Sequence, residues 1–347
     1  MCGIPSCTLS INPAGSIMVH GDTGSFTASV SNIAYGIVSN VSFSSSNTGI
    51  VSISPASDSS SPYITSATAV FPGTAILTAS ATMNGEAVRC SNILNITVNP
   101  RGPWWQVVDA DVQTKESLNS DVPPTLYFGL PGLGGFPGVA KYGGSTSLSS
   151  GNVSAMHWLA NSSYSPPNNK VQDYAYFRRL IPEGVLQPIP SSSVIGSCSP
   201  SSDGYCWYEY DGSTTGLPFR ITSDISLTDG KKVVLFVKGA DLNIEGKITY
   251  TSGKSIFVAL VDKNINISSD DLMGFFLADE NISTGISANP LHLKGSVAAL
   301  GGFNLQRNLV SLNLTKASEV FEYDPASAFL FPPKLSMEKT RWKEVAP

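Results

Sequence analysis

Between residues 5 and 98, apolar and polar positions alternate with period two in short runs, most clearly at 25–31, 50–54 and 74–80. That period sends successive side chains to opposite faces, so each run reads as a strand with one buried face and one wet face. Asn84-Gly85 falls between two such runs, where a type I′ hairpin turn needs residues that tolerate positive φ. About seven strands in a stretch of this length predict an immunoglobulin-like β-sandwich.

From residue 231 onward the pattern becomes a repeat. Residues 237–244 are echoed at 260–267 and again at 277–284, at offsets of 23 and 17 residues. Short apolar strands recurring at that interval, with Asn and Gly at the corners, predict a parallel β-helix. Each rung buries its inward Ile, Leu or Val on the next, and outward polar residues form ladders.

The intervening stretch mixes signals. Trp104-Trp105 opens a strand, and glycines at 129, 132, 135 and 138 mark a loop with polyproline character. One short helix is predicted over 170–181, with Val171, Tyr174, Phe177 and Ile181 on one face. Arg178 and Arg179 suit its C-terminal end, and Pro182 and Gly184 stop it. The expected fold class is therefore mainly β: an N-terminal Ig-like β-sandwich plus a C-terminal parallel β-helix-like domain with one short helix. The sandwich spans 1–99 and the linker 100–103. A mixed segment, 104–230, carries the glycine-rich loop and the helix and caps the region after it. The β-helix and a C-terminal tail occupy 231–347.

Charge supports the boundary. Only Asp22, Asp58, Glu86 and Arg89 are charged in the first 100 residues, and Pro100 and Pro103 flank the step. Over the whole chain 41% of residues are hydrophobic and 14% charged, which excludes a disordered polymer. A net charge of −5 excludes the broad basic face that nucleic acid or an anionic membrane requires. No stretch has the ~18 apolar residues of a membrane span.

Cys7 and Cys90 sit near the two ends of the sandwich, and Cys198 and Cys206 bracket a turn-forming stretch, so two disulfides are expected. They place the protein in an oxidising, extracellular or cell-surface setting. Cys2 is left over. The first residues lack the basic and apolar regions of a signal peptide, so the chain is expected to be a mature form or an excised piece.

Ser42–Ser54 (beginning Ser-Phe-Ser-Ser-Ser-Asn), Phe71-Pro-Gly-Thr and the closing Asn95-Ile-Thr-Val98 resemble the bacterial Ig-like domains of surface proteins. Phe43 stands where that family often has Trp. The resemblance implies a spacer, stalk or adhesive tip. The second half, through Gly301–Arg307, Phe321–Pro325 and the terminal Arg341–Pro347, resembles uncharacterised surface proteins of candidate-phylum bacteria. Those chains join Ig-like domains to a short β-helix, so the likeness implies architecture and location rather than chemistry.

Candidate chemistry is sparse. The repeat puts Asp262 and Asp279 at equivalent positions on adjacent rungs, roughly 5 Å apart on a regular ladder. Paired carboxylates at that spacing suit a retaining glycosidase, and with Glu280 they suit a Ca²⁺ site. The competing reading is a solvated face neutralised by Lys238 and Lys263. Trp104, Trp105, His157 and Trp158 are candidate ligand-binding residues because aromatic rings stack on sugars. The competing reading buries them as a plug at one end of the β-helix. No Gly-x-Ser-x-Gly elbow and no zinc-type Cys/His spacing occurs. The expected function is a non-catalytic adhesive or structural surface protein that binds glycan or a neighbouring protein. The alternatives are a self-assembling fibre or pilus-associated subunit, and a polysaccharide lyase or glycosidase. Apart from Ca²⁺, no cofactor is expected.

Overall fold

The computed structural model describes residues 5–85, 88–162, 171–197, 199–251 and 253–336. Its first part is a sandwich of two sheets. One has the strand order Ser6–Asn12, Thr23–Ala34, Tyr63–Ala69, Val51–Ser54; the other is Ser16–Val19, Val88–Asn99, Gly73–Met83, Val38–Ser45, Ser57–Asp58. Pairing is antiparallel except between Ser16–Val19 and Val88–Asn99. The period-two residues meet between the sheets, where Phe26, Leu77 and Ile96 are fully buried and Phe43 joins them. Asn84 (φ 55°) and Gly85 (φ 74°) make the expected turn. Cys7 and Cys90 are disulfide-bonded with Cα atoms 5.6 Å apart. Cys206 is also disulfide-bonded, whereas Cys198, its expected partner, lies outside the described residues.

Beyond the linker the strands pair in parallel, rung on rung. One column runs Phe219–Ile221, Leu242–Ile244, Ile265–Ile267, Asn281–Ser283, Gly302–Asn304. Leu242 lies on Ile265 and Ile265 on Ile282, the register the echoes predict. A second, longer column contains Cys206–Asp211, Lys232–Lys238, Ile256–Val261, Asp271–Ala278, Leu291–Ala299 and Glu319–Glu322 in that order. Isoleucine, leucine and phenylalanine side chains of both columns fill the interior.

Three expectations are corrected. The segment 104–230 is woven into the stack rather than merely capping it. Trp105–Val108 pairs with Glu319–Glu322 at one end, while Cys206–Asp211 pairs with Lys232–Lys238 near the other. Short parallel rungs also occur at Val112–Thr114, Ala140–Tyr142 and Leu159–Asn161. The chain thus builds one block, passes along the flank, and winds back rung by rung to meet that block.

Second, the outer face of the long column is apolar rather than a polar ladder. All six residues of Ile256–Val261 are buried, as in parallel sheets covered on both faces. The cover is α1, Tyr174–Arg179, with Tyr174 and Phe177 packed on Val234, Phe236, Val258 and Leu260. This helix is shorter than predicted and lies on the flank instead of plugging an end. Asp173 caps it, accepting from Tyr176 N at 2.6 Å.

Third, a second helix exists. Helix α2, Pro325–Leu330, starts from Asp324, which accepts from Ala326 N, and carries Pro at its first position. After it, Phe331 and Leu335 return to the same apolar face. Asp203 holds this segment through Lys334 at 2.7 Å. The plug near the far end is the 3₁₀ turn Ser192–Ser197, whose Ile195 is fully buried in the stack's core. No helix among the described residues is long and apolar enough to cross a membrane.

Candidate functional site

Val261 pairs with Ala278, so Asp262 and Asp279 follow on adjacent rungs. Lys238 and Asp211 extend the column, joined by a 3.0 Å ion pair. The carboxylates are engaged by the backbone, Asp262 through both oxygens and Asp279 through one. Both Asp262 oxygens accept from Gly239 N, at 2.7 and 2.8 Å, closing the corner before them. Asp279 Oδ1 accepts from Tyr174 N at 2.7 Å and so anchors the start of α1. Burial pushes the Asp279 carboxyl above its ordinary value; the Tyr174 amide opposes this, and Asp173, Asp262 and Glu280 add repulsion.

Glu280 turns away to Lys263 at 2.9 Å and Asn264 Nδ2 at 2.9 Å. The Ca²⁺ shell expected from Asp262, Asp279 and Glu280 is therefore not assembled. Among the described residues no three His, Cys, Asp or Glu group as metal ligands.

Beside this column lies a cleft of about 810 Å³ lined by Tyr174, Tyr176, Arg178, Arg179, Glu209 and Lys238. Arg178 is paired inside it and Lys238 with Asp211 beside it, while Arg179 is exposed. Glu209 accepts from Arg178 Nε at 2.8 Å and from the Tyr174 hydroxyl at 3.3 Å. Burial first, and then the Glu209 charge, raise the Tyr174 hydroxyl far above the usual tyrosine range, so it stays protonated. A general base would need an unengaged acceptor within reach of a substrate proton.

The four candidate aromatics separate into two groups. Trp104 is core: it is 2% exposed, and its Nε1 donates to Asn313 O at 2.8 Å. Trp105 donates to Asn119 O at 2.7 Å and packs edge-on against Phe128 and Phe321. Both are corrected from ligand-binding to structural roles. His157 and Trp158 lie on the surface. The Trp158 ring is stacked on Phe136 with centroids 6.0 Å apart and planes within 7°.

Phe136 is 57% exposed and neighbouring Leu133 is 95% exposed. The two loops, 131–138 and 156–159, form an apolar ledge at the edge of the Val112–Thr114, Ala140–Tyr142, Leu159–Asn161 sheet. Gly138 fixes the first loop against the rung below, since a Cβ there would lie 2.0 Å from Ala110 O. Sequence reasoning missed Phe136. Its signal was a large aromatic among Gly and Pro, in a loop with no apolar face on which to bury it.

One more arrangement was unforeseen. Arg101, with its side chain 1% exposed, ties the sandwich to the stack through Asp22 on one side and Asp121 on the other, the latter at 3.1 Å. Its Nε donates to His20 O at 3.0 Å, and its own carbonyl accepts from Asn313 Nδ2 at 3.0 Å. The linker is a fastened joint. Arg101→Met leaves two carboxylates without their cation, and as both are partly wet the expected cost is ~1–3 kcal/mol. The larger expected effect is geometric: X-ray scattering should show a longer, broader distribution of molecular dimensions than for the unaltered chain.

No protein-family model and no curated protein matches the chain. Solved structures similar to it include the fibronectin(III)-like modules of Clostridium thermocellum CbhA, at 19% identity and a TM-score of 0.23 over 28% of this chain and 48% of that one. Domains 4 and 5 of the S-layer protein SbsC are similar at 19% identity and a TM-score of 0.22, over 27% of this chain and 53% of theirs. Domains 5–6 of SbsC give 19% identity and 0.23, over 32% and 55%. The chain thus spans about half the length of these neighbours. At such TM-scores the likeness carries no functional weight, and the resemblance to candidate-phylum surface proteins gains no support from any match.

Proposed function

We propose that the chain is a non-catalytic protein of the cell surface, in which a rigidly mounted sandwich acts as spacer and the parallel β-helix presents a binding ledge to glycan. The observation that carries this reading is the exposed Phe136–Trp158 stack. Two parallel rings on a fixed edge offer the apolar face that a sugar ring covers. The Cys7–Cys90 bond fits an oxidising, extracellular setting. In affinity electrophoresis through gels containing xylan, soluble cellulose, dextran or glycol chitin, retardation by at least one polymer is expected. Phe136→Ala with Trp158→Ala should weaken that retention at least tenfold, roughly 1.4 kcal/mol. Equal retention of the double variant, or no retardation in any gel, would count against the ledge.

The glycosidase reading keeps one observation in its favour, the raised carboxyl of Asp279 beside Asp262. Because both groups hold backbone amides, Asp262→Asn is expected to lower thermal stability and to leave reducing-sugar release at background. Release by the unaltered chain that this substitution abolishes would restore the enzyme. Fibre growth by stacking needs open ends. The Ser192–Ser197 turn covers the interior near one of them.

A further inference from the structure

The sandwich is wired so that tension need not pass through it. The first strand, Ser6–Asn12, starts at the end remote from the linker, where Ser6 pairs with Ala34. Cys7 is bonded there to Cys90, 83 residues further along the chain. Cys90 lies near the start of Val88–Asn99, the last strand of the sandwich, which runs straight on to Arg101. A strand is already extended, at ~3.4 Å per residue, and yields almost no further length when pulled along its axis. Its far end is fastened by the buried Arg101 side chain to Asp22 and Asp121.

We propose that the sandwich is a load-bearing spacer with a covalent bypass: force entering before Cys7 crosses to Cys90 and leaves along one extended strand. Everything between the two cysteines, seven strands whole and parts of the first and last, hangs off that path as an unloaded loop. The path follows from connectivity alone, and only its use on a cell surface rests on the function proposed above. Such wiring suits a module that must keep its shape while a bound partner is pulled. The hydrogen-bonded sheets then set the shape, and one covalent bond carries the load.

Optical-tweezers extension of the full chain, with handles joined at its two ends, tests this. The oxidised chain should show steps from the stack but none from the sandwich. Cys7→Ser with Cys90→Ser should add a step of roughly 280 Å, the extended length of the released loop. A 280 Å step in the oxidised chain would overturn the bypass. So would its absence in a double variant whose circular dichroism matches that of the oxidised chain, since the sheets would then bear the load unaided. A third chain keeps the disulfide and moves the first handle to residue 60, so that the path crosses the sheets. It should give a step of about 100 Å before the bond is reached, and no step there would also overturn the proposal. None of these outcomes depends on whether the ledge binds sugar.

Discussion

Gly295→Ala is expected to prevent the chain from reaching its native state in useful yield. Gly295 sits at φ +139°, and a Cβ there would lie 1.9 Å from Gly274 O on the rung below. Gly274 is at φ +151° and pairs with Gly295 in register. The two glycines take a corner. On the preceding rung, Ile248–Tyr250 and Ile256–Val261 are separate strands joined by a loop. Asp271–Ala278 covers both, with Leu272 on Ile248 and Phe275 on Val258. A single bend at glycine replaces the loop, which is why the repeat shortens there from 23 to 17 residues. Backbone-to-backbone overlap cannot be relieved by a rotamer change. The expected loss exceeds ~4 kcal/mol, the range reserved for strain at a special φ/ψ or core disruption. Ser296→Ala, one residue on, should stay within ~0.5 kcal/mol. Guanidinium melts of the two variants, or a soluble-yield comparison if the first does not fold, measure the difference.

Arg307→Met is the second large effect, and it should depend on pH. The Arg307 side chain is wholly buried, with Nη1 2.7 Å from Asp270 and 3.1 Å from Asn289 O, and Nε donating to Thr284 O at 3.2 Å. Glu319, also buried, accepts from Arg307 N at 3.0 Å and from Thr284 Oγ1 at 2.9 Å. Removing the cation leaves the Thr284, Asn289 and Ser269 carbonyls without their donor and takes the positive charge away from buried Glu319, for which ~3–5 kcal/mol is the usual cost. Burial already raises the Glu319 carboxyl above its ordinary value, against bonds from Arg307 and Thr284 that lower it. A raised acid favours its protonated form in the folded state. Its destabilising contribution is therefore absent below the ordinary glutamate range and grows as pH rises toward the raised value. Without Arg307 that rise steepens, so the variant should lose more stability than the unaltered chain between acid and neutral pH. Adding Glu319→Gln should flatten the profile. Thermal melts across pH would show both, and a pH-independent deficit would assign the whole cost to lost packing.

The sandwich could be read from sequence because half-buried strands alternate. The stack between 231 and 284 could be read because its corners repeat Asp and Asn. Of the rungs at 105–161 only the first could, as the strand that Trp104-Trp105 opens. They are two to four residues long, too short to alternate and without an echo. The runs 233–237 and 256–261 are apolar throughout, which periodicity alone does not assign to one face or two. They hid the apolar outer face and therefore the task of α1. Asp262 and Asp279 were legible as a column, but their engagement by Gly239 and Tyr174 amides was not, since it depends on how corners fold back. Trp104 and Trp158 are the same residue in similar company, and what separates them is a partner at Asn313, 209 residues from Trp104.

That last contact has a consequence for synthesis. In a simple solenoid each turn can settle on the one before it as the chain emerges from the ribosome. Here the block at 105–161 receives its neighbouring strand, Glu319–Glu322, only after the whole stretch between them has been made. Until then Trp104 lacks its Asn313 partner and one edge of Trp105–Val108 is unpaired, and that edge is open to other chains. A nascent chain halted before residue 313 would therefore present an unsealed sheet edge. Pairing of Glu319–Glu322 separates a sealed block from a sticky fragment, so products that stop short of it should be removed by aggregation or proteolysis rather than accumulate as shorter, folded versions.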